Sequence, residues 1–129
     1  KIQNNKANVR NELDVKSSTM DAIRKGMYMV VNSGSLKTVF QKVPVKVAGK
    51  TGTAQISANE PNHALFVSYA PYQSPKISVT VVIPNAFTSS NAASLASNIY
   101  QYYFDKKARK NLLKKSATSP VSNSGRVAD

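Results

Sequence analysis

Between Ser18 and Asn32 apolar residues recur at Met20, Ile23, Met27, Val30 and Val31, the three-and-four spacing of an amphipathic helix. Ser18, three residues before Asp21, has the form of a capping box, and "NSG" at 32–34 supplies a stop, so the pattern predicts a helix from about Thr19 to Asn32. Gly26 inside it predicts a close packing contact. After a polar connection the period changes. Val43, Val45 and Val47 alternate with Pro44 and Lys46, which predicts a half-buried strand running into Gly49. Two runs rich in Val, Ile, Phe and Tyr, "HALFVSYAP" at 63–71 and "KISVTVVIP" at 76–84, flank "YQSP" and predict an antiparallel hairpin. From Ser89 the helical period returns, with Ser89 or Ser90 as N-cap and Ala92, Leu95, Ala96, Ile99, Tyr102 and Tyr103 as the expected packing face. Residues 1–16 carry no start of a domain and read as a continuation from an upstream segment; residues 109–129, basic and then Ser-rich, read as a disordered tail behind a folded portion at 1–108.

A chain of 129 residues can hold one core, and this one has no cysteine, which excludes disulfides, zinc thiolates and thiol nucleophiles. His, Asp and Glu show no metal-ligand spacing, so neither a metal nor another cofactor is expected. The formal charge of +12 sits at the two ends, because Lys76 is the single ion between Pro61 and Phe104. Such a balance attracts polyanions through a salt-screened field. "KKARKNLLKK", at 106–115, carries six bases in ten residues around Leu112 and Leu113, and opens one reading of the chain: a basic, non-enzymatic module for anionic membrane or polymer surfaces. Nucleic acid is not expected, since the strands lack aromatic-basic interleaving and no recognition helix is evident.

The second reading starts from "VPVKVAGKTGTAQ" at 43–55. Gly49-Lys50-Thr51 could end a phosphate-binding loop, but that motif needs a glycine where Pro44 stands and a helix directly afterwards, whereas residues 54–62 have no helical apolar face. A lysine on a strand followed by small residues, Lys50-Thr51-Gly52-Thr53, suits a different chemistry: a cation beside an exposed backbone that a substrate can approach.

These residues resemble the K-T-G motif of the penicillin-binding proteins. The surroundings extend the likeness: "STMDAIRKGMYMVVNSGS" resembles the helix before that strand in class B members, and "HALFVSYAP", "ISVTVVIPN" and the closing helix resemble the end of their transpeptidase domain. The resemblance covers roughly Leu13 to Asp105 and implies an α/β fold of the penicillin-binding transpeptidase and serine β-lactamase type, with three of its five antiparallel strands present and flanked by helices. It implies part of a serine-type D,D-transpeptidase that cross-links peptidoglycan stem peptides through an acyl-enzyme, is acylated by β-lactams, and works on the extracytoplasmic face of the cell membrane. No serine here has a lysine three positions on, so the S-x-x-K nucleophile is absent and this chain alone should be inert. Ser57-Ala58-Asn59 and Ser89-Ser90-Asn91 match S-x-N but lie after the motif, where the family has it before, and read as turn residues. The implied partners are therefore an upstream segment of the same protein carrying S-x-x-K and S-x-N, the stem peptide and β-lactams.

By the same resemblance Lys50 is the catalytic cation, and Thr51, Gly52, Thr53 and Gln55 are the substrate-binding positions. Gly52 would let the substrate lie along the strand. Thr53 would give a backbone N–H to the oxyanion and a hydroxyl to the substrate carboxylate. Strand alternation puts Lys50 and Thr53 on opposite faces and gives Thr51 a structural share. His63, the one histidine, has no acidic or serine partner in sequence and is expected to be structural or exposed.

Overall fold

The computed structural model describes residues 9–55 and 57–111. Its elements run α1 (Ser17–Asn32), α2 (Lys37–Phe40), β1 (Ala48–Ala54), β2 (His63–Ala70), β3 (Ile77–Ile83) and α3 (Ser89–Phe104). The three strands form one antiparallel sheet in the order β1-β2-β3, so β1 and β3 are its edges among the described residues. The hairpin read from the aromatic and β-branched runs is β2–β3, in register from Ala64 opposite Ile83 to Ala70 opposite Ile77.

The sheet has one covered face. Ala64, Phe66, Ser68 and Ala70 of β2 and Val79 and Val81 of β3 are buried there, beneath α3, which also contacts β1. Tyr100 and Phe66 are both fully buried, and each contributes on the order of 1.5–3 kcal/mol by leaving water. Phe40 of α2 joins them, with ring centroids 5.6 Å from Phe66 and 6.4 Å from Tyr100. The polar groups in this core are paired: Tyr100 Oη donates to Ser68 Oγ at 2.9 Å, and Ser68 Oγ donates to the Val79 carbonyl at 3.1 Å.

Several sequence expectations are corrected by these contacts. The buried side of α3 is Ala92, Ala93, Ala96, Ser97 and Tyr100, while Leu95 is 46% exposed and Ile99, Tyr102 and Tyr103 are similarly open. Small residues let the helix axis approach the sheet, and the larger apolar side chains are left flanking the contact. The N-cap of α3 is Thr88, whose Oγ1 accepts from Ser90 N at 3.4 Å, rather than Ser89 or Ser90. The α1 capping box does not form: Lys16 is the N-cap without a side-chain bond, and Asp21 instead lies 3.6 Å from Arg24. Among the described residues no neighbour lies within 4 Å of a Cβ built at Gly26, so that glycine marks no packing contact with them. Val43–Val47 keeps the alternating burial but is not a strand; β1 begins only at Ala48. That segment is tied instead to the β2–β3 turn, where Tyr72 N donates to the Lys46 carbonyl at 2.8 Å.

After α3 the backbone extends at Asp105, whose Oδ1 accepts from Lys107 N and Ala108 N at 2.8 and 3.0 Å and so caps a helical run over 106–111. Arg109 folds back over Tyr102, 4.9 Å from its ring centroid, and donates to the carbonyls of Tyr102 and Tyr103 at the end of α3. Positions 112–129 of the expected tail lie outside the described residues.

Candidate active site

Lys50 and Gly52 sit in the middle of β1, whose register with β2 pairs Lys50 with Val67, Thr51 with Phe66, Gly52 with Leu65 and Thr53 with Ala64. The pleat sorts these residues. A side chain at position 49 would run into the Phe66 ring, and would come within 3.1 Å of Ser68 Cβ, so Gly49 faces the buried side beneath α3. By alternation Thr51 and Thr53 share that side, and Lys50 and Gly52 face away from it. A side chain at Gly52 would meet Leu65 Cβ at 3.3 Å, which places Gly52 over the opposite face. That second face carries no described helix over its centre: Val67 is 42% and Val82 54% exposed, an apolar surface surrounding the lysine.

The base of β1 is held firmly. Asn32, at the end of α1, donates from Nδ2 both to the Tyr28 carbonyl and to the Val47 carbonyl, each at 2.8 Å, which fixes the chain one residue before the strand. Val47 and Ala48 are buried. From there the strand emerges into solvent: Lys50 is exposed, Thr51 and Gly52 are half-buried, and Thr53 is exposed, as is Gln55 just past the strand. Lys50 Nζ donates to the Thr51 carbonyl at 2.7 Å. One edge of β1 bonds to β2 and the other is unpaired among the described residues, so the strand offers backbone groups along the same stretch that presents the lysine.

Thus Lys50 and Gly52 come together on one face, whereas the side chains of Thr51 and Thr53 are directed to the other. Gln55 continues the chain beyond the last paired residue, Ala54. His63 lies opposite Ala54, and its Nδ1 accepts from Asn85 N at 3.4 Å, a link to the β3–α3 turn. The two S-x-N look-alikes are engaged locally: Ser57 Oγ accepts from Asn59 N at 3.2 Å, and Asn91 Nδ2 donates to the Ala86 carbonyl at 2.9 Å. Sequence reasoning named Gly49 only as the end of a strand and part of a rejected phosphate loop, and Asn32 only as the end of a helix; that the two seat the strand was not read from the sequence.

The family model of the penicillin binding protein transpeptidase domain matches residues 2–101. The peptidoglycan D,D-transpeptidase MrdA of Haemophilus influenzae is 38% identical over 109 residues, covering 71% of this chain and 17% of that protein. Among solved structures, penicillin-binding protein 2B of Streptococcus pneumoniae R6 superposes with a TM-score of 0.65 at 30% identity, covering 81% of this chain and 19% of its own. Pseudomonas aeruginosa PBP2, in complex with WCK 5153, gives 0.61 at 30% identity, with 70% and 21% covered. This chain therefore spans about a fifth of the length of the proteins it resembles. The order of helix, K-T-G strand, hairpin and closing helix, with this agreement in sequence and fold, makes the chain a member of the class B penicillin-binding proteins, from the C-terminal part of the transpeptidase domain.

Proposed function

We propose that this chain supplies the K-T-G strand to a serine D,D-transpeptidase that cross-links peptidoglycan stem peptides and is acylated by β-lactams. The observation that carries the reading is the joint placement of Lys50 and Gly52 on the face of an edge strand opposite the one that α3 covers. The nucleophile comes from an upstream S-x-x-K segment of the same protein, since no serine of this chain has the required lysine. That segment also brings the S-x-N residues and covers the apolar face around Val67 and Val82.

In the reaction the serine hydroxyl attacks the carbonyl between the two terminal D-alanines and forms an acyl-enzyme, releasing the last D-alanine. An amine of a neighbouring stem peptide then attacks the acyl-enzyme, restoring the serine and closing the cross-link. The Lys50 ammonium acts electrostatically: it attracts the substrate's terminal carboxylate and favours negative charge as it grows during attack. Gly52 leaves room for the donor peptide to pair with the unpaired edge of β1 as an added strand, with Thr51 in that pairing. Thr53 serves through its backbone N–H at the oxyanion and through its hydroxyl at the carboxylate, and Gln55 lines the rim. The hydroxyl role requires the strand's twist to bring Thr53 round to the cleft, because the pleat turns its side chain from Lys50.

The H. influenzae relative is a peptidoglycan D,D-transpeptidase by name, which supports the substrate class. We place the whole protein at the extracytoplasmic face of the cell membrane with its anchor outside this chain; no helix among the described residues is long and apolar enough to cross a membrane. Labelling the full-length protein with a fluorescent penicillin tests the reading: it should label, and Lys50→Ala should slow the labelling. A full-length protein that does not label would refute it.

A further inference from the structure

On the Lys50 face of the sheet, Tyr69 stands two residue pairs from Lys50, opposite Ala48. Here two adjoining cavities of about 430 and 380 Å³ open between α1 and the β2–β3 turn. The first is lined by Arg24, Tyr69, Tyr72, Gln73 and Pro75; the second shares Tyr72 and Gln73 and adds Tyr28, Val45, Lys46 and Pro71. We infer that this cleft is a binding site for a peptide carboxylate carried beside an apolar side chain.

Among the described residues the lining has cations, a neutral donor and aromatic rings, and no acid. Tyr69 Oη is buried without a hydrogen-bond partner among the described residues. A buried hydroxyl without a partner is costly, so a ligand oxygen that accepts a hydrogen bond from it is favoured there. Burial pushes the Tyr69 phenol up, the neighbouring Tyr72 adds to this, and Arg24 opposes it; the group therefore remains a donor at neutral pH. Among the described residues Arg24 makes only a long, exposed contact to Asp21 at 3.6 Å, a class of ion pair that contributes little and is readily exchanged. A carboxylate accepts from a guanidinium fork and a phenol together.

The apolar half is built from packed aromatic rings. Tyr69 and Tyr72 lie 6.5 Å apart at 22°, and Tyr28 and Tyr72 4.7 Å apart at 45°. The turn that carries Tyr72 and Gln73 is pinned at both ends, by Tyr72 N to the Lys46 carbonyl at 2.8 Å and by Lys76 N to the Ala70 carbonyl at 2.9 Å. The walls are thus ordered before a ligand arrives, which lowers the entropy cost of binding. None of this depends on the transpeptidase chemistry of Lys50. The carboxylate has two sources, a free acidic peptide or an acidic side chain from another part of the same polypeptide.

The test uses the full-length protein labelled with fluorotyrosine and followed by fluorine NMR during titration with N-acetyl-Leu-Glu-amide. The glutamine analogue and inorganic phosphate serve as controls. A free-peptide site predicts a saturable shift from the acidic dipeptide, weakened roughly tenfold or more by Arg24→Gln and by the glutamine analogue, the scale of one lost charge-assisted bond. Where the dipeptide does not bind, carbodiimide coupling of the Arg24→Lys protein should join position 24 to a carboxylate outside this chain, located by mass spectrometry. Binding insensitive to Arg24→Gln, or phosphate binding as tight as the dipeptide, overturns the inference. So does the absence of dipeptide binding together with coupling to Asp21 alone or to nothing.

Discussion

The ring of Phe66 occupies the space into which a side chain at Gly49 would project, with Phe66 Cε2 at 2.8 Å from that position. Phe66 is fully buried and packs against Phe40, so the ring has no open side to retreat to. The residue before Lys50 is therefore glycine for a packing reason, and this contact fixes which way the lysine faces.

Gly49→Ala in the full-length protein should lower the urea midpoint, by about 1–3 kcal/mol in stability, the usual cost of forcing extra volume into a filled core. Gly49→Ala combined with Phe66→Leu should recover part of the loss. A neutral single substitution would mean that the sheet and α3 are packed more loosely than described.

Tyr100 Oη bonds to Ser68 inside the core, and burial raises the phenol above its usual value of 10.0 while that hydrogen bond opposes the rise. Below pH 10 the phenol is protonated in both folded and unfolded chains and adds no pH dependence. Above it the unfolded phenol loses its proton first, so the unfolded state binds fewer protons and stability must fall as pH rises. Tyr100→Phe should flatten the decline above pH 10 in an alkaline denaturation series and cost about 1 kcal/mol at neutral pH for the lost bond. An unchanged alkaline slope would move the titrating group elsewhere.

How much of this was readable from the sequence follows from which forces decide each element. The β2–β3 hairpin was legible because alternating Val, Ile, Phe and Tyr state both period and burial. The body of α1 was legible for the same reason, though its N-terminal half is largely exposed and Ile23 is 52% exposed. The packing face of α3 was misread because hydrophobicity favours Leu95 and Ile99, whereas the geometry favours alanines where a helix presses on a sheet. The alternation at Val43–Val47 was real as burial and wrong as a strand, since the segment's Lys46 carbonyl accepts a single bond from Tyr72 N of the β2–β3 turn and forms no ladder. At the site, the K-T-G letters and the alternation that separates Lys50 from Thr51 and Thr53 were plain in the sequence; which of the two faces is the buried one needed the register with β2.

The edge of β3 that has no partner among the described residues predicts a further strand. Hydrogen exchange on the full-length protein should show the amides of Ile77–Ile83 protected on both edges of the strand, as expected if the upstream segment adds a strand there. Rapid exchange of alternate amides through this stretch would leave β3 as a true edge.

Lys50→Ala should slow acylation of the full-length protein by a fluorescent penicillin by about a hundredfold, the scale of one preorganised electrostatic group, with little change in Tm. Thr53→Ala should be milder, because its backbone N–H is retained. Equal effects from the two would reassign Thr53, and unchanged kinetics in Lys50→Ala would remove the lysine from the site.

The central claim is that this chain contributes the lysine strand and another segment of the same protein contributes the nucleophile. The most direct measurement is mass spectrometry of the full-length protein after reaction with a β-lactam, with the covalent adduct located by peptide mapping. The adduct should fall on a serine of an upstream S-x-x-K segment; an adduct on any serine between Lys1 and Asp129 would contradict the account.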